Sequence, residues 1–402
     1  MARRKSYYKK LKKASPQSII LAIIFLILAV AGYYVYNKYF KEEDDGLNLS
    51  GGIELASGEM SFHFMMLGNE KAGDCIYIKA GETDILIDGG SYYDSLEYIT
   101  AYLNTTGYVT DGKIEYAIVT HADQDHIACF AGSENGESLF DKYEFGTIID
   151  FPKTNKNSGV YNRYISERNT EVANGAKHYT ALQCYNKSDG AQRVYDFGNG
   201  MQMEILYNYY YEHNSSKENN YSVCVMFYHG KKMFLFTGDL EKSGEEKLAN
   251  NYDFTQVELY KAGHHGSETS SNDCLLKEIK PKVCVACCCA GSAEYSDNKE
   301  IMFPSQAFIN RIAPYTKKVY VGTTIEIYQD GVNDDGSPNY KNKGEYTLLN
   351  GNIVAISRAN QEGQTENSGV VEVKCSNNDT LLKDTVWFIN NRTMPNEWKT
   401  AA

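Results

Sequence analysis

Four side chains that can bind a metal lie close together in the segment His-Ala-Asp-Gln-Asp-His. The apolar run before them, Ile114 to Val119, predicts a buried strand. Alternation along that strand would aim the first two side chains the same way, and a turn into a following helix would bring the other two to the same point. Imidazole combined with carboxylate suits zinc, manganese or iron better than calcium. The residues of this predicted metal site are His121, Asp123, Asp125 and His126.

Three further polar motifs come directly after predicted strands. An alternative interpretation of the first motif is a polar surface loop with a pH-sensitive charge. The later motifs weigh against it, because they call for the same metal-site explanation. These motifs are Asp88-Gly89-Gly90 after Ile85–Ile87, Thr237-Gly238-Asp239 after the run that begins at Met233, and Gly263-His264-His265-Gly266-Ser267 after Val257–Lys261.

The elements that must position these motifs alternate between strands and helices. Strand-like runs at Phe62–Leu67 and Cys75–Lys79 come first, and a helix is predicted from about Tyr93 to Leu103. The span 133–200 is rich in Gly, Asn and Tyr, and it predicts a few short strands and loops over one face. Alternating elements predict layered α/β packing. The remaining predicted elements are strands at Met201–Tyr207, Tyr221–Tyr228 and Val319–Val321, a helix at Cys274–Ile279 and a helix from Ser305.

Charge is unevenly spread along the 402 residues, whose formal net charge is −12. Seven of the 40 basic residues fall in the first 13 positions with no acid among them, so the rest carries 33 basic against 52 acidic residues, or −19. A body of that charge is a poor general binder of nucleic-acid backbones, which require a basic surface. Nucleic acid is therefore a possible but unfavoured partner, since a local basic groove or the metals themselves could still hold one phosphate.

Ten cysteines in a chain of this length do not indicate a small disulfide scaffold. Four of them lie in one apolar, strand-like run. Side chains of neighbouring strand residues alternate between faces, so they cannot converge on one tetrahedral metal. We interpret them as small core residues rather than a metal cluster. They are Cys284, Cys287, Cys288 and Cys289.

The N-terminal region predicts a membrane anchor. Residues 1–17 form a basic tail, and the apolar run from Ile19 to Tyr36 would reach about 27 Å as a helix. Basic residues before the run and acidic residues after it place the tail in the cytoplasm and the body outside. We predict a single-pass signal anchor over 18–37 and a polar linker over 38–58, with signal-peptide cleavage after Ala31 as the alternative.

The four motifs, in this order, resemble the metallo-β-lactamase superfamily, and more narrowly the extracellular hydrolase domain of ComEC-type competence proteins. In the latter an Asp replaces the second His of the first motif, as Asp123 does here. The resemblance implies an αββα four-layer sandwich over 59–330, and we expect the β-rich extension 331–402 to pack on the same domain. A large multi-pass channel is lacking, so DNA import by this chain alone is not implied.

The resemblance also implies a ligand set for two divalent cations, zinc or manganese. His121 and Asp123 would bind the first, Asp125 and His126 the second, and Asp239 would bridge them. His264 is expected to complete the second site, which leaves its neighbour His265 as a substrate-binding or catalytic group. The expected roles of the remaining residues are water orientation for Asp125, and support of the loops around the metals for Asp88, Asn220 and Ser222.

Two positions depart from the family pattern. The superfamily usually has a His before the Thr-Gly-Asp hairpin, whereas ComEC-type domains tend to have Asn and Ser there, and this chain has Asn220 and Ser222. His213 lies nearby, and we interpret it as a loop residue. The His-Pro that ComEC-type domains carry later is replaced by Phe303-Pro304. The missing imidazole predicts the loss of one substrate contact.

The leading functional hypothesis is a membrane-tethered, extracytoplasmic metal-dependent hydrolase that attacks a phosphodiester with a metal-activated water. The substrate could be DNA, a nucleotide or a phosphorylated envelope polymer. One alternative is a non-catalytic surface binding protein on a decayed hydrolase scaffold, with its 33 tyrosines as contact surface. A lactonase or thioesterase using the same metal site is another.

Overall fold

The computed structural model describes residues 58–105, 107–358 and 371–399. The predicted tail, the predicted anchor over 18–37 and all of the predicted linker except Gly58 lie outside these ranges. Within them, no helix has both the length and the apolar character needed to cross a bilayer.

The strands form two large mixed sheets of eight strands each. In chain order they are β1 (Met60–Phe64), β2 (Ile76–Ala80), β3 (Thr83–Ile87), β4 (Lys113–Val119), β5 (Glu144–Asp150), β6 (Lys177–Thr180), β7 (Val194–Asp196), β8 (Met201–Ile205), β9 (Val225–His229), β10 (Lys232–Phe236), β11 (Leu259–Lys261), β12 (Val283–Ala290), β13 (Val319–Val332), β14 (Pro338–Leu348), β15 (Ile353–Ser357) and β16 (Val371–Cys375).

The helices of the described ranges connect these strands. They are α1 (Ser95–Thr105), α2 (Gln124–Ala131), α3 (Leu139–Lys142), α4 (Gly159–Asn174), α5 (Ala181–Asn186), α6 (Lys242–Asn251), α7 (Asp273–Ile279), α8 (Gln306–Ile312) and α9 (Val386–Asn391). A short 3₁₀ turn spans Gly263–Gly266.

The first sheet has the order β16-β15-β1-β2-β3-β4-β5-β6, and the second has the order β14-β13-β12-β11-β10-β9-β8-β7. Strands β3 to β6 pair in parallel, as do β10 to β13. These parallel strands explain the continuous apolar runs in the sequence, since a parallel sheet covered on both faces presents no polar side.

Aromatic rings fill the space between the two sheets. The ring of Phe62 in β1 lies 4.5 Å from that of Phe234 and 5.7 Å from those of Phe227 and Phe236, all in the second sheet. The intervening residue Leu235 belongs instead to a separate core on the other face of the second sheet. The alternation of side chains along β10 therefore separates the two cores.

Helices cover both sheets. Phe130 of α2 packs with the first sheet, with its ring 5.8 Å from that of Phe145. Leu248, Leu276 and Phe308, from α6, α7 and α8, form the outer core of the second sheet. The predicted layered α/β sandwich with two central sheets is therefore confirmed for the described residues.

The C-terminal segment contributes to both sheets. The predicted domain border at 330 falls inside β13, which pairs with β12 and continues into a long hairpin with β14. Strand β15 then pairs with β1, and β16 with β15, so the chain returns to the first sheet. Strands β15 and β16 thus extend the first sheet beyond β1.

The prediction for 133–200 was wrong in one respect, because this span contains α4, a helix of 16 residues. Only a narrow set of its side chains is buried, namely Val160, Tyr164 and Glu171. Such a helix has weak apolar periodicity and is hard to recognise from sequence. Its N-terminus is fixed locally, since the Ser158 side chain accepts a hydrogen bond from the Tyr161 N–H.

His63 makes the stability of this fold depend on pH. It is buried in β1, where its ring nitrogens pair with the Tyr102 hydroxyl at 2.6 Å and the Ser61 hydroxyl at 2.7 Å. Burial lowers its pKa from 6.5 to about 3. Between these two pH values His63 is protonated in the unfolded chain but neutral in the folded chain. The free energy of unfolding therefore decreases as the pH falls below 6.5.

We expect acidification from pH 7 to pH 5 to cost about 2 kcal/mol through this residue alone. In His63→Gln the same acidification should cost about 2 kcal/mol less than in the wild type, because glutamine does not titrate. Urea unfolding of both proteins at the two pH values measures the difference. An identical loss in the variant and the wild type would contradict this assignment.

Candidate metal centre

The candidate site lies where parallel strands of both sheets end. Asp88 follows β3, His121 follows β4, Asp239 follows β10, and His265 follows β11. The carboxyl ends of parallel strands are where α/β folds commonly place ligands, because the loops there leave an open crevice. A backbone hydrogen bond from Val223 to Thr120 (2.9 Å) joins the two sheets beside this point.

Four side chains converge there, with donor atoms within 4.8 Å of one another. The Oδ2 atom of Asp239 lies 3.2 Å from Nε2 of both His126 and His265. Nε2 of His265 also lies 3.2 Å from Oδ2 of Asp125. All four are buried or nearly so, and Asp125 is the most accessible, with 13% of its side chain exposed. We call Asp125, His126, Asp239 and His265 the outer group.

Unpartnered atoms in this group fit a metal. Nε2 of His126 and both ring nitrogens of His265 are buried and have no hydrogen-bond partner, and Nε2 of His121 beside them is in the same condition. Their carboxylate neighbours are close but lie outside hydrogen-bond geometry. Leaving one such atom unsatisfied costs about 1–3 kcal/mol. Several of them around one point, with two carboxylates, are the donor set that a divalent cation would satisfy.

The electrostatics also call for positive charge. Burial alone would lower the pKa of His126 and His265, but the carboxylates around them, Asp239 first, raise both well above the usual value. Burial alone would raise the pKa of Asp125 and Asp239, but the neighbouring imidazoles outweigh it and lower both. The carboxylates therefore favour positive charge on the two imidazoles. A bound cation would supply that positive charge instead.

Asp88 orients His126. Its Oδ2 atom lies 2.8 Å from Nδ1 of His126, which turns Nε2 towards the outer group. The Thr120 N–H donates to Oδ1 of Asp88 at 2.7 Å, and the Thr120 hydroxyl donates to Oδ2 at 2.8 Å. Asp88 sits in the left-handed region with φ of 60°, a costly conformation for a residue other than glycine.

The other two residues of the first motif lie beside the outer group. Nε2 of His121 is 3.4 Å from Oδ2 of Asp123, and its ring centroid is 4.1 Å from that of His126. Asp123 is the N-cap residue of α2, and its side chain is 25% exposed and paired with Lys156. The structure thus brings His121 and Asp123 together as a pair, at the more open side of the site.

Of the two adjacent histidines, the structure brings His265 into the outer group. Nε2 of His264 lies 3.8 Å from Oδ2 of Asp239, and its Nδ1 pairs with the Thr269 hydroxyl at 2.8 Å. Burial lowers the pKa of His264 to about 4. Both histidines have left-handed backbone angles, with φ of 48° and 55°, and this sharp turn decides which imidazole faces Asp239.

Ser222 and Asn220 hold the loop beneath Asp239. The Ser222 hydroxyl accepts a hydrogen bond from the Asp239 N–H at 3.0 Å and lies 3.5 Å from Nδ1 of His121. Asn220 instead accepts from the Glu241 N–H at 3.3 Å. Position 238, directly before Asp239, requires glycine. Its φ of 53° lies in the left-handed region, and a Cβ there would lie 2.8 Å from the Ser222 hydroxyl.

Three residues at the site were missed from the sequence. Asp74 and Lys261 are buried and form an ion pair at 2.5 Å, and Tyr295 donates a hydrogen bond to Oδ2 of Asp125 at 2.9 Å. A lysine at the end of a buried apolar strand was an available signal for Lys261, since lysine is rarely buried without a partner. Asp74 and Tyr295 lie in loops without a recognisable motif.

Comparison with known proteins finds relatives that include competence proteins, although no family model matches the chain. ComE operon protein 3 of Bacillus subtilis is 25% identical over 176 residues, and competence protein ComA of Neisseria gonorrhoeae is 25% identical over 250 residues. The resemblance to competence proteins is confirmed. These alignments cover 43% and 61% of this chain. They span only 20% and 29% of the relatives' own lengths.

Some of the similar solved structures carry metallo-β-lactamase or hydrolase descriptions. One is the metallo-β-lactamase fold protein YhfI of Bacillus subtilis, with 13% identity, a TM-score of 0.34, and coverage of 65% of this chain and 85% of that one. Another is a putative metal-dependent hydrolase of Parabacteroides distasonis, with 14% identity, a TM-score of 0.29, and coverage of 56% and 80%.

The contact between Asp88 and His126 generates a prediction. In Asp88→Asn the amide retains an acceptor for Thr120 but no longer holds the charge that orients His126. We expect metal affinity to fall about 10- to 100-fold, the usual cost of removing a carboxylate that supports a metal-binding histidine. Zinc or manganese titration of the purified protein measures it.

The matched control is Asp253→Asn, which alters an exposed aspartate outside every motif. It should bind metal as the wild type does. Unchanged affinity in Asp88→Asn would show that His126 is held by other contacts.

Proposed function

We propose that this chain is a metal-dependent hydrolase of phosphodiester bonds that uses zinc or manganese. The observation that carries the proposal is the convergence of Asp125, His126, Asp239 and His265. Three of the four ring nitrogens of the two histidines are buried without a hydrogen-bond partner. Similarity to competence proteins supports the same reading. The predicted pair of cations would use His121 and Asp123 as further ligands.

A bound divalent cation would lower the pKa of water and polarise a phosphoryl oxygen. The chain's own residues divide the remaining work. Asp239, held from below by Ser222, presents Oδ2 to the centre of the site. Asp125 is the most accessible carboxylate of the outer group, so it is the one placed to orient an attacking water and accept its proton. His265 lies beside both carboxylates, with Nε2 3.2 Å from Oδ2 of each.

Charge at the entrance supports an anionic substrate. The Lys156 side chain, 36% exposed, pairs with Asp123 where the site opens to solvent. Its ammonium group could move from that carboxylate to a substrate phosphate when a cation neutralises Asp123. The names of the relatives favour a nucleic-acid substrate, and the net charge of −12 favours a small or non-nucleic phosphodiester. We therefore propose that the bond cleaved is a phosphodiester, and we do not choose between nucleic acid and other phosphodiester substrates.

We further propose that the hydrolase acts outside the cytoplasm, tethered by residues 18–37. The basic tail and the acidic residues that follow the apolar run support this orientation. Protease treatment of intact cells provides the check, because the body should be degraded only if it lies outside.

Asp239→Asn tests the hydrolase proposal. Hydrolysis of a chromogenic phosphodiester such as bis-p-nitrophenyl phosphate by the manganese- or zinc-loaded protein should fall at least about 100-fold, because the variant removes the charge shared by His126 and His265. Steady-state rates at several metal concentrations separate lost metal binding from lost catalysis.

Asp253→Asn again serves as the control and should retain full activity. An unchanged rate in Asp239→Asn would refute the assigned site. A wild-type protein that cleaves a lactone or thioester but no phosphodiester would refute the bond type.

A further inference from the structure

Lys261 is a buried cation for which the proposed reaction has no role. Its side chain is 1% exposed at the end of β11, behind the outer group. Its Nζ atom lies 2.5 Å from Oδ2 of Asp74 and 3.2 Å from Oδ1 of Asp239. It also donates to the Gly238 carbonyl at 3.2 Å. Two carboxylates within 3.2 Å favour the charged form of this ammonium group.

A second set of possible metal ligands lies beside this lysine. Donor atoms of Asp74, Asp88 and His126 are within 4.8 Å of one another, and all three residues are buried. We call them the inner group. It shares His126 with the outer group through opposite ring nitrogens, because Nδ1 lies 2.8 Å from Asp88 and 3.8 Å from Asp74, whereas Nε2 faces Asp239.

The atom of Asp74 that Lys261 contacts is the same Oδ2 that lies 3.8 Å from Nδ1 of His126. In that place, the ammonium group of Lys261 supplies one positive charge to the buried carboxylates of Asp74 and Asp239. It also excludes a divalent ion from the same space by volume and by charge repulsion.

We propose that Lys261 is the resident cation of the inner group, so that divalent metal binding is confined to the outer group and its open side. The inference rests on the proposed metal site. Lys261 is a positioning residue in this scheme. By holding Oδ1 of Asp239 it leaves Oδ2 for the metal. By pairing with Asp74 it also holds a carboxylate beside His265, because Oδ1 of Asp74 lies 3.3 Å from Nδ1 of that imidazole.

A purely structural ion pair would predict something different. If Lys261 only stabilised the fold, its replacement would lower stability equally with and without metal and leave the metal content unchanged. If it stands in for a cation, its replacement leaves the buried carboxylate of Asp74 without its ion-pair partner, 3.8 Å from Nδ1 of His126. Such a group recruits a divalent ion, because an unpaired buried charge is far costlier than a paired one.

The test is Lys261→Met in the full chain, with zinc and manganese as the metal probes. Elemental analysis after loading and gel filtration should find about one more equivalent of metal per chain than in the wild type. The rise in melting temperature on metal addition should also be larger in the variant than in the wild type. Lys282→Met is the matched control, since it breaks a lysine–glutamate pair (2.6 Å to Glu258) away from the site. It should leave the metal content unchanged.

A double variant isolates the inner group. Adding Asp74→Asn to Lys261→Met removes the carboxylate together with its ammonium partner, and the metal content should return to that of the wild type. Lys261→Gln guards against a packing artefact of methionine and should behave as Lys261→Met does.

Three outcomes would overturn the inference. One is a metal content in Lys261→Met and Lys261→Gln that equals that of the wild type. Another is a melting temperature of these variants that falls below that of the wild type by the same amount with and without metal. The third is failure of both variants to fold even when metal is present, because the proposal requires that a divalent ion can replace the ammonium. A wild-type chain that binds no metal would refute the proposed function instead.

Discussion

The carboxylate of Asp239 is the interaction on which the rest of the site depends. One oxygen faces Lys261 and the other faces the imidazoles of His126 and His265. Three of the four sequence motifs are therefore joined through one buried group. A carboxylate in this position is stable only because cations or protons surround it, since burying an uncompensated charge is prohibitive. The demand for positive charge follows directly from that geometry.

The two-sheet sandwich is what makes this meeting possible. The first sheet supplies His126 and its support Asp88, and the second supplies Asp239, Lys261 and His265. Aromatic side chains pack between the two sheets, for example Phe62 against Phe234, and this packing fixes the distance between the sheets. The rigidity of such a core holds side chains from distant parts of the chain within hydrogen-bond reach of one another.

Strained backbone appears at three positions in the motifs that surround the site. Asp88, His264 and His265 all have positive φ, a region that ordinary residues enter at a cost of about 1–3 kcal/mol. The surrounding contacts stabilise them there, as when Asp88 accepts two hydrogen bonds from Thr120. At each of these positions the left-handed backbone points the side chain in a direction that a continuing strand or helix would not give it.

The sequence by itself determined the layered α/β class and pointed to most of the side chains that converge at the candidate site, because apolar runs that end in His and Asp are local patterns. It did not reveal α4, whose buried side is narrow, nor Asp74 and Tyr295, which stand outside any motif. Only the tertiary structure decided that His265 rather than His264 faces Asp239, and that Lys261 lies between two carboxylates. Those outcomes depend on a left-handed turn and on the distance between two sheets, and neither is encoded in residue type or spacing.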